Sequence, residues 1–497
     1  MTAASVDQAA PGASLGSDAA GLVALKLVVS IFVLATGFQG ISDDDFARVV
    51  IAQGFAHAPH LDPSGTSWLP LPFQITGAAM MAFGGDLAVA RVVAVLLGVG
   101  AVVLVHRAAW ILTEDRQSAL AGAAIAAVLP WSARLGVSAV PELPVAALTL
   151  FALAAIARPT ATRLVAGGAC LLAACLSRYE PWLVTAPWAF FVLTSSTSVT
   201  ATRKVDVSRA AKGIAVALAF AGPLAWSLWN LRVHGSLFHY VDRVSAYNAA
   251  VDHDGVATRA VGYVFATFRA EPELVLLLAF VAYQLFDDRG RRAWLPFLSF
   301  RRPAFILGFL FVALTVLSIR GGAPTHHPER ALLALHLFGA VVLGRAVVFA
   351  AKGGALPLRR ALVFALILAP AMLVLRSWYL FKESFADRAD EVAIGQDVAT
   401  MVPADQRVAV EVVDYGYFAV LAGTRAPWRA DLAGEVRPGT GGDPQSPEQL
   451  FAATRAKGDR FAVGRTPEGE PPGARILSLR GKWALYEVDP DFADARK

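Results

Sequence analysis

Between residues 21 and 380 the chain is divided into long runs of apolar residues that carry few or no charges, and such runs leave few folds open. A bilayer offers no hydrogen-bond partner to exposed backbone. A crossing segment must therefore satisfy its own N–H and C=O groups, which about 20 mostly apolar residues in a helix can do. Runs of this kind fall near 21–38, 86–105, 117–131, 140–156, 164–176, 181–193, 211–230, 272–286, 303–319, 331–350 and 361–380. They predict a mostly α, polytopic membrane protein of about eleven transmembrane helices. Composition agrees: of 497 residues 56% are apolar and 17% charged, where soluble domains carry about 25% charge. That balance argues against a cytosolic globular enzyme. The two cysteines, Cys170 and Cys175, share one apolar run, which supplies neither a disulfide framework nor a zinc site and reads as membrane packing.

Charge then sets orientation, because basic loops resist translocation. Lys and Arg collect in alternate short loops: Arg107 and Arg116; Arg158 and Arg163; Arg203, Lys204, Arg209 and Lys212; Arg289, Arg291, Arg292, Arg301 and Arg302; and Lys352, Arg359 and Arg360. These loops are expected in the cytoplasm, with the N-terminus inside, the C-terminus outside and the chain in the plasma (inner) membrane among its lipids. The opposite loops, near 39–85, 231–271 and 320–330, then face outward. Residues 1–20 read as a disordered tail, being rich in Ala, Ser, Gly and Asp without a basic start or cleavage site. The stretch 68–83, opened by WLPLPF, fits a kinked interfacial or re-entrant element better than a straight span.

From residue 381 onward the apolar runs give way to a small α/β domain, expected outside. Residues 1–380 carry 29 basic and 20 acidic side chains, residues 381–497 carry 15 and 19. The excess of positive charge thus belongs to the membrane part and does not imply nucleic acid as a partner. Helices are expected at 387–401 and 448–457, strands at 407–413, 460–464, 475–479 and 483–488, and a loop through GEVRPGTGGDPQSP.

Chemistry-bearing residues gather on the outer face. Asp43, Asp44 and Asp45 follow the first span and open ISDDDFARVVIAQGF, which reads as a surface helix with Ser42 at its N-cap and Phe46, Val49 and Val50 toward the membrane. Carboxylates in a first turn face the positive end of the helix dipole and stay ionised. They can act as a general base, hold a divalent metal or only solvate the helix start.

This arrangement resembles the fold C glycosyltransferases, which use polyprenyl-phosphate sugars. The family pattern after the first span is an acidic pair, one residue, then an aromatic, matched by Asp43, Asp44, Asp45 and Phe46. The resemblance covers roughly residues 21–380, with the first outer loop at 39–85 as the catalytic loop, and is nearest in organisation to aminoarabinose, protein mannosyl and galacturonosyl transferases. It implies transfer with inversion on the extracytoplasmic face, from a polyprenyl-phosphate-linked donor to a lipid, glycan or protein acceptor, with Asp43 or Asp44 as base. Arg134 and Glu142 are similar to a family segment in which an arginine precedes a glutamate that opens the next helix. Arg178, Tyr179 and Glu180 form a similar cluster at an outer helix end, and RGGAPTHHPER resembles the late loop before a helix starting at Arg330. Asp45, His326, His327 and Glu329 join these as expected substrate contacts, with Arg330 able to fork onto phosphate. The resemblance leaves an Mg²⁺ or Mn²⁺ ion open. In the loop 231–271, Asp242, Arg243, Tyr247 and Asn248 are looser candidates, and Asp252, His253 and Asp254 could bind a cation.

The rival reading is a transporter or lipid flippase for envelope precursors. That class places ionisable groups near the midplane and often shows paired half-repeats. Here the informative charges sit at outer span ends, only Arg91 and Arg345 read as embedded, and the halves do not match.

Overall fold

The computed structural model describes residues 11–195, 198–200, 203–205, 207–251, 255–287, 297–322, 325, 327–352, 387–437, 441–466 and 471–492. The membrane part runs α1 (Pro11–Ala35), α2 (Asp43–His57), α3 (Leu71–Phe83), α4 (Leu87–Thr113), α5 (Arg116–Val128), α6 (Pro130–Leu135), α7 (Glu142–Ala157), α8 (Ala161–Cys175) and α9 (Glu180–Thr194). It continues through α10 (Arg209–His234), α11 (His239–Val251), α12 (Val256–Ala270), α13 (Pro272–Asp287), α14 (Arg301–Ile319), α15 (Pro328–Ala331) and α16 (Leu333–Lys352). Ten of the eleven expected spans thus coincide with helices, and the run 361–380 lies outside the described residues. Four helical stretches, Gly16–Ala35, Leu87–Thr113, Arg209–His234 and Phe297–Ile319, are long and apolar enough to cross a membrane. The protein is a multi-pass helical membrane protein.

Local chemistry explains most element ends. The side chains of Asp115, Thr160 and Ser208 cap α5, α8 and α10 by accepting from the amides of Ser118, Arg163 and Ala211. The expected span 117–131 is broken at Leu129, since a residue before proline is pushed out of the helical region and Leu129 has ψ 133° before Pro130. The helix α1 starts at Pro11, within the stretch 1–20 expected as a tail. Asp18 anchors this extension, accepting from Arg116 Nε at 2.7 Å and Nη2 at 2.8 Å. Lys26, overlooked as an embedded charge, is buried within α1 and donates to the Ser132 carbonyl at 2.7 Å. The expected outer loop 231–271 contains α11 and α12, which its polar residues concealed.

The C-terminal domain holds a five-stranded sheet in the order β4-β3-β5-β7-β6, after a two-stranded hairpin β1 (Ser198–Thr200) and β2 (Arg203–Val205) in the membrane part. Its strands are β3 (Val408–Glu411), β4 (Ala430–Ala433), β5 (Phe461–Arg465), β6 (Ala474–Arg480) and β7 (Trp483–Val488). The central strand β3 pairs in parallel with β4 and β5, while β7 pairs antiparallel with β5 and β6. Alternate residues of β3 serve two cores. Val408 and Val410 pack with Ile394, Val398 and Val420, while Ala409 packs with Leu450, Phe451 and Tyr486. Even Glu411 is buried, accepting from the amides of Gln445 at 2.9 Å and Arg465 at 2.7 Å.

Two surface ion pairs are expected to add to the acid sensitivity of this domain. Asp397 accepts from Arg480 at 2.7 Å and 3.0 Å, and Asp431 accepts from Arg407 at 2.7 Å. Each bonded arginine holds its carboxyl below the ordinary aspartate range. A lowered folded-state pKa contributes stability above the unfolded pKa, lost as pH falls through the folded value. The double variant Asp397→Asn/Asp431→Asn is therefore expected to lose less stability than the parent below about pH 4, read by pulse proteolysis of the C-terminal domain. An identical acid slope would exclude both pairs as its source.

Candidate functional site

Consecutive residues of an α-helix point about 100° apart, so the three acids of α2 cannot share one environment. Asp45 points inward and is 1% exposed. One oxygen accepts from the Ile41 amide and the other from the Ala139 amide, both at 2.7 Å. The 136–139 segment comes close because Gly98 of α4 meets Gly136, where a Cβ on Gly98 would lie 2.6 Å from the Gly136 carbonyl oxygen. Asp45, expected as a substrate contact, thus has its carboxylate tying backbone to backbone. Asp43 points toward the C-terminal domain and accepts from Arg388 Nε at 2.9 Å and Nη2 at 3.0 Å. Asp44 turns to the membrane part as well, accepts from Arg330 Nη1 at 3.3 Å and keeps 35% side-chain exposure.

The sides of α2 differ from expectation in two further ways. Ser42 occupies the N-cap position, but its hydroxyl accepts from Arg330 Nη2 at 2.9 Å rather than from the helix start. The apolar face of Phe46, Val49 and Ala52 packs on Met80, Ala90, Ala419 and Ala422, so protein rather than lipid covers it. Gln53 extends this junction, donating to the carbonyls of Gly85 at 2.8 Å and Ala422 at 2.9 Å.

Around Asp44 the helix starts supply a charged cluster. Glu142 opens α7, Glu180 opens α9, Arg178 lies just before α9, and Arg330 lies in α15. Arg178 donates from Nε to both Glu180 oxygens at 3.1 Å and 3.0 Å, and from Nη1 to Glu142 at 2.6 Å. Although burial disfavours its charge, Glu180 and then Glu142 push its pKa above the ordinary arginine value. Arg330 sits 3.8 Å from Glu142 as well as bonding Asp44, so one buried guanidinium links the two acids. Arg48, missed in the sequence, completes the cluster. It lies one turn beyond Asp44, a spacing that places both on one helix face, and its guanidinium covers the Trp68 ring at 4.5 Å and Phe73 at 5.4 Å.

A cavity opens against these groups. Glu142, Arg178, Glu180 and Arg330 line it together with Val145, Ala146, Thr149, Val184, Leu310 and Ala334. Along α7 and α9 the lining passes from Glu142 and Glu180 at the helix starts to Val145, Ala146 and Val184 about one turn further in. Charged and apolar side chains thus share one small cavity.

Other expected residues are placed elsewhere. The Tyr179 hydroxyl donates to the Ser67 carbonyl at 2.6 Å and accepts from Trp226 Nε1 at 3.1 Å, so it pins the 58–70 loop rather than a ligand. Arg134 is buried in α6 and is not part of the cavity lining. His327 lies 3.6 Å from Glu329, and neither lines the cavity. Residues 326 and 252–254 lie outside those described, and with them the candidates His326, Asp252, His253 and Asp254. Among the described residues no group of three or more His, Cys, Asp or Glu side chains is arranged to hold a metal ion. The cluster's carboxylates already face guanidiniums, a donor set that does not fit a metal.

No protein-family model matches the sequence, and no curated protein matches it. Solved structures do. ArnT from Cupriavidus metallidurans in the apo state is 15% identical, with a TM-score of 0.62 over 95% of this chain and 98% of that one. The same protein bound to undecaprenyl phosphate gives 14% identity and a TM-score of 0.61 over 94% and 97%. The chain shares the fold of these structures over nearly its whole length, through its C-terminal domain as well as its membrane part.

Proposed function

We propose that the protein transfers a sugar from a polyprenyl-phosphate donor to an acceptor hydroxyl at the extracytoplasmic membrane surface. The observation that carries this reading is the convergence of Glu142, Glu180, Arg178 and Arg330 on an apolar-walled cavity, with Asp44 joined to them through Arg330, within a fold shared with a protein solved bound to undecaprenyl phosphate. In this reading the polyprenyl chain follows Val145, Ala146, Val184 and Leu310 into the bundle, and its phosphate meets the arginines.

The chemistry is one displacement. Asp44 takes the proton of the acceptor hydroxyl as that oxygen bonds to the anomeric carbon. The bond from that carbon to the phosphate oxygen breaks, and its electron pair leaves on the lipid phosphate, so configuration inverts. Negative charge growing on the phosphate is stabilised by Arg330, Arg178 and Arg48, held in place before the reaction begins. Asp44 suits the base role better than its neighbours because Asp43 is forked onto Arg388 and both Asp45 oxygens are taken by amides.

The test is a pool of polyprenyl-phosphate sugars given to purified protein with candidate acceptors. One donor should be consumed and polyprenyl phosphate released, while no consumption across the pool overturns the reading. Arg330→Lys should then be poorly tolerated, because one ammonium cannot serve both Ser42 and Asp44 while forking onto phosphate. A loss of about tenfold or more in kcat/KM is expected for that variant, about the effect of one charged hydrogen bond. Parent-level turnover at limiting donor would remove Arg330 from the site.

A further inference from the structure

The sheet domain ends one arm of its contact with α2 on a single guanidinium. Arg388 stands at the N-cap of the helix Ala389–Met401, with its side chain 9% exposed. From its own domain it is held by Glu391, 3.0 Å from Nη1, and by Asp414, 3.3 Å from the same nitrogen. Toward the membrane part its Nε and Nη2 fork onto both oxygens of Asp43, and its backbone amide donates to Gln39 Oε1 at 3.1 Å. One residue therefore grips both ends of the 39–43 segment that leads into α2. Burial disfavours its charge, but the Asp43 bonds, with Asp414 and Glu391, more than offset this and push its pKa up.

We infer that Arg388 is a positioning residue through which the C-terminal domain holds the first turn of α2, and with it the Asp44 carboxylate, in its working orientation. The inference rests on the reading of Asp44 as base. A planar fork fixes Asp43 in rotation as well as distance, and Asp44 is the next residue on the same rigid turn. The remainder of α2 is already clamped by Gln53 and by Ala419 and Ala422. The first turn is tied to the membrane part by Asp45 and Ala139 and by Ser42 and Arg330, and the Asp43–Arg388 fork is its charged link to the C-terminal domain. Three carboxylates around one cation also mean that removing the cation leaves Asp43, Glu391 and Asp414 to repel one another across the junction.

The experiment compares the full-length parent with Arg388→Gln, Arg388→Lys, Asp43→Asn and the double variant Arg388→Gln/Asp43→Asn. Three readouts are taken in detergent: kcat with the donor that the parent consumes, affinity for undecaprenyl phosphate, and amide hydrogen exchange over residues 43–49 and 408–411. Arg388→Gln and Asp43→Asn should each lower kcat about tenfold or more, as expected for a lost charged hydrogen-bond pair. They should leave undecaprenyl phosphate affinity within about twofold and raise exchange in 43–49 but not in 408–411. The double variant should be no worse than the poorer single, since both remove one shared interaction, and Arg388→Lys should fall between Arg388→Gln and the parent. Unchanged kcat and exchange in Arg388→Gln, multiplying effects in the double variant, or equal rises in exchange at 408–411 would each overturn the inference. If the parent consumes no donor, the glycosyltransferase reading fails by itself, and unchanged exchange in 43–49 would still overturn the hold on α2.

Discussion

Asp44→Asn is expected to insert and fold like the parent and to lose sugar transfer by about 10² to 10⁴, the range for a missing general base. The substitution keeps volume and leaves an oxygen to accept from Arg330, and at 35% exposure the lost ion pair costs little stability. Asp45→Asn, one residue on, should do the reverse. Its amide group can accept from only one of the two buried amides of Ile41 and Ala139 and turns an NH₂ toward the other. Leaving a buried donor unsatisfied costs about 1–3 kcal/mol, so folded protein should fall while the surviving fraction still turns over. Membrane yield and specific transfer, measured on the same preparations, separate the two. Parent-level transfer by Asp44→Asn at equal yield would return the triplet to a solvated helix start.

That contrast marks what the sequence made legible. A run of three acids after the first apolar stretch was enough to point to this helix, and periodicity placed the helices because lipid-crossing segments advertise themselves by composition. Which acid does what was not legible, because the answer lies in partners far along the chain: Ala139 for Asp45, Arg330 for Asp44 and Arg388 for Asp43. Arg48 could have been found from its four-residue spacing to Asp44, but its rings at Trp68 and Phe73 could not. Lys26 was hidden by the apolar run around it. In the C-terminal domain β4 is only four residues, ADLA, too short for a period to register, and it exists because β3 offers a parallel edge. The helices α11 and α12 read as loop because neither carries a long apolar run or a clear cap, although the apolar residues of α12 recur at helical spacing. The fold neighbours agree with the architecture at 15% identity or less, which fits a fold set by apolar pattern while the charged cluster is assembled from scattered positions.

Arg178→Met should be the most damaging change to stability in the cluster. Arg178 is the hydrogen-bonded cation between Glu180 and Glu142, whose side chains are 7% and 1% exposed. The second Glu142 oxygen has no hydrogen-bond partner among the described residues, and apart from Arg178 the first has Arg330 Nη1 at 3.8 Å. Breaking a buried pair from one side costs about 3–5 kcal/mol, because the remaining charge stays in a low dielectric without compensation. Such a network adds little net stability compared with an apolar packing of the same volume, so its retention needs another reason. The proposed reaction supplies one: guanidiniums preorganised beside a cavity would meet a leaving phosphate with no reorganisation at the moment of reaction. Two measurements follow. Thermal unfolding in detergent should drop sharply in Arg178→Met and recover in part in Arg178→Met/Glu180→Gln, which removes one orphaned carboxylate. Undecaprenyl phosphate affinity should fall in both, since neither restores the cation. Stability restored together with full affinity in the double variant would mean that Arg178 only neutralises the glutamates and does not meet the lipid phosphate.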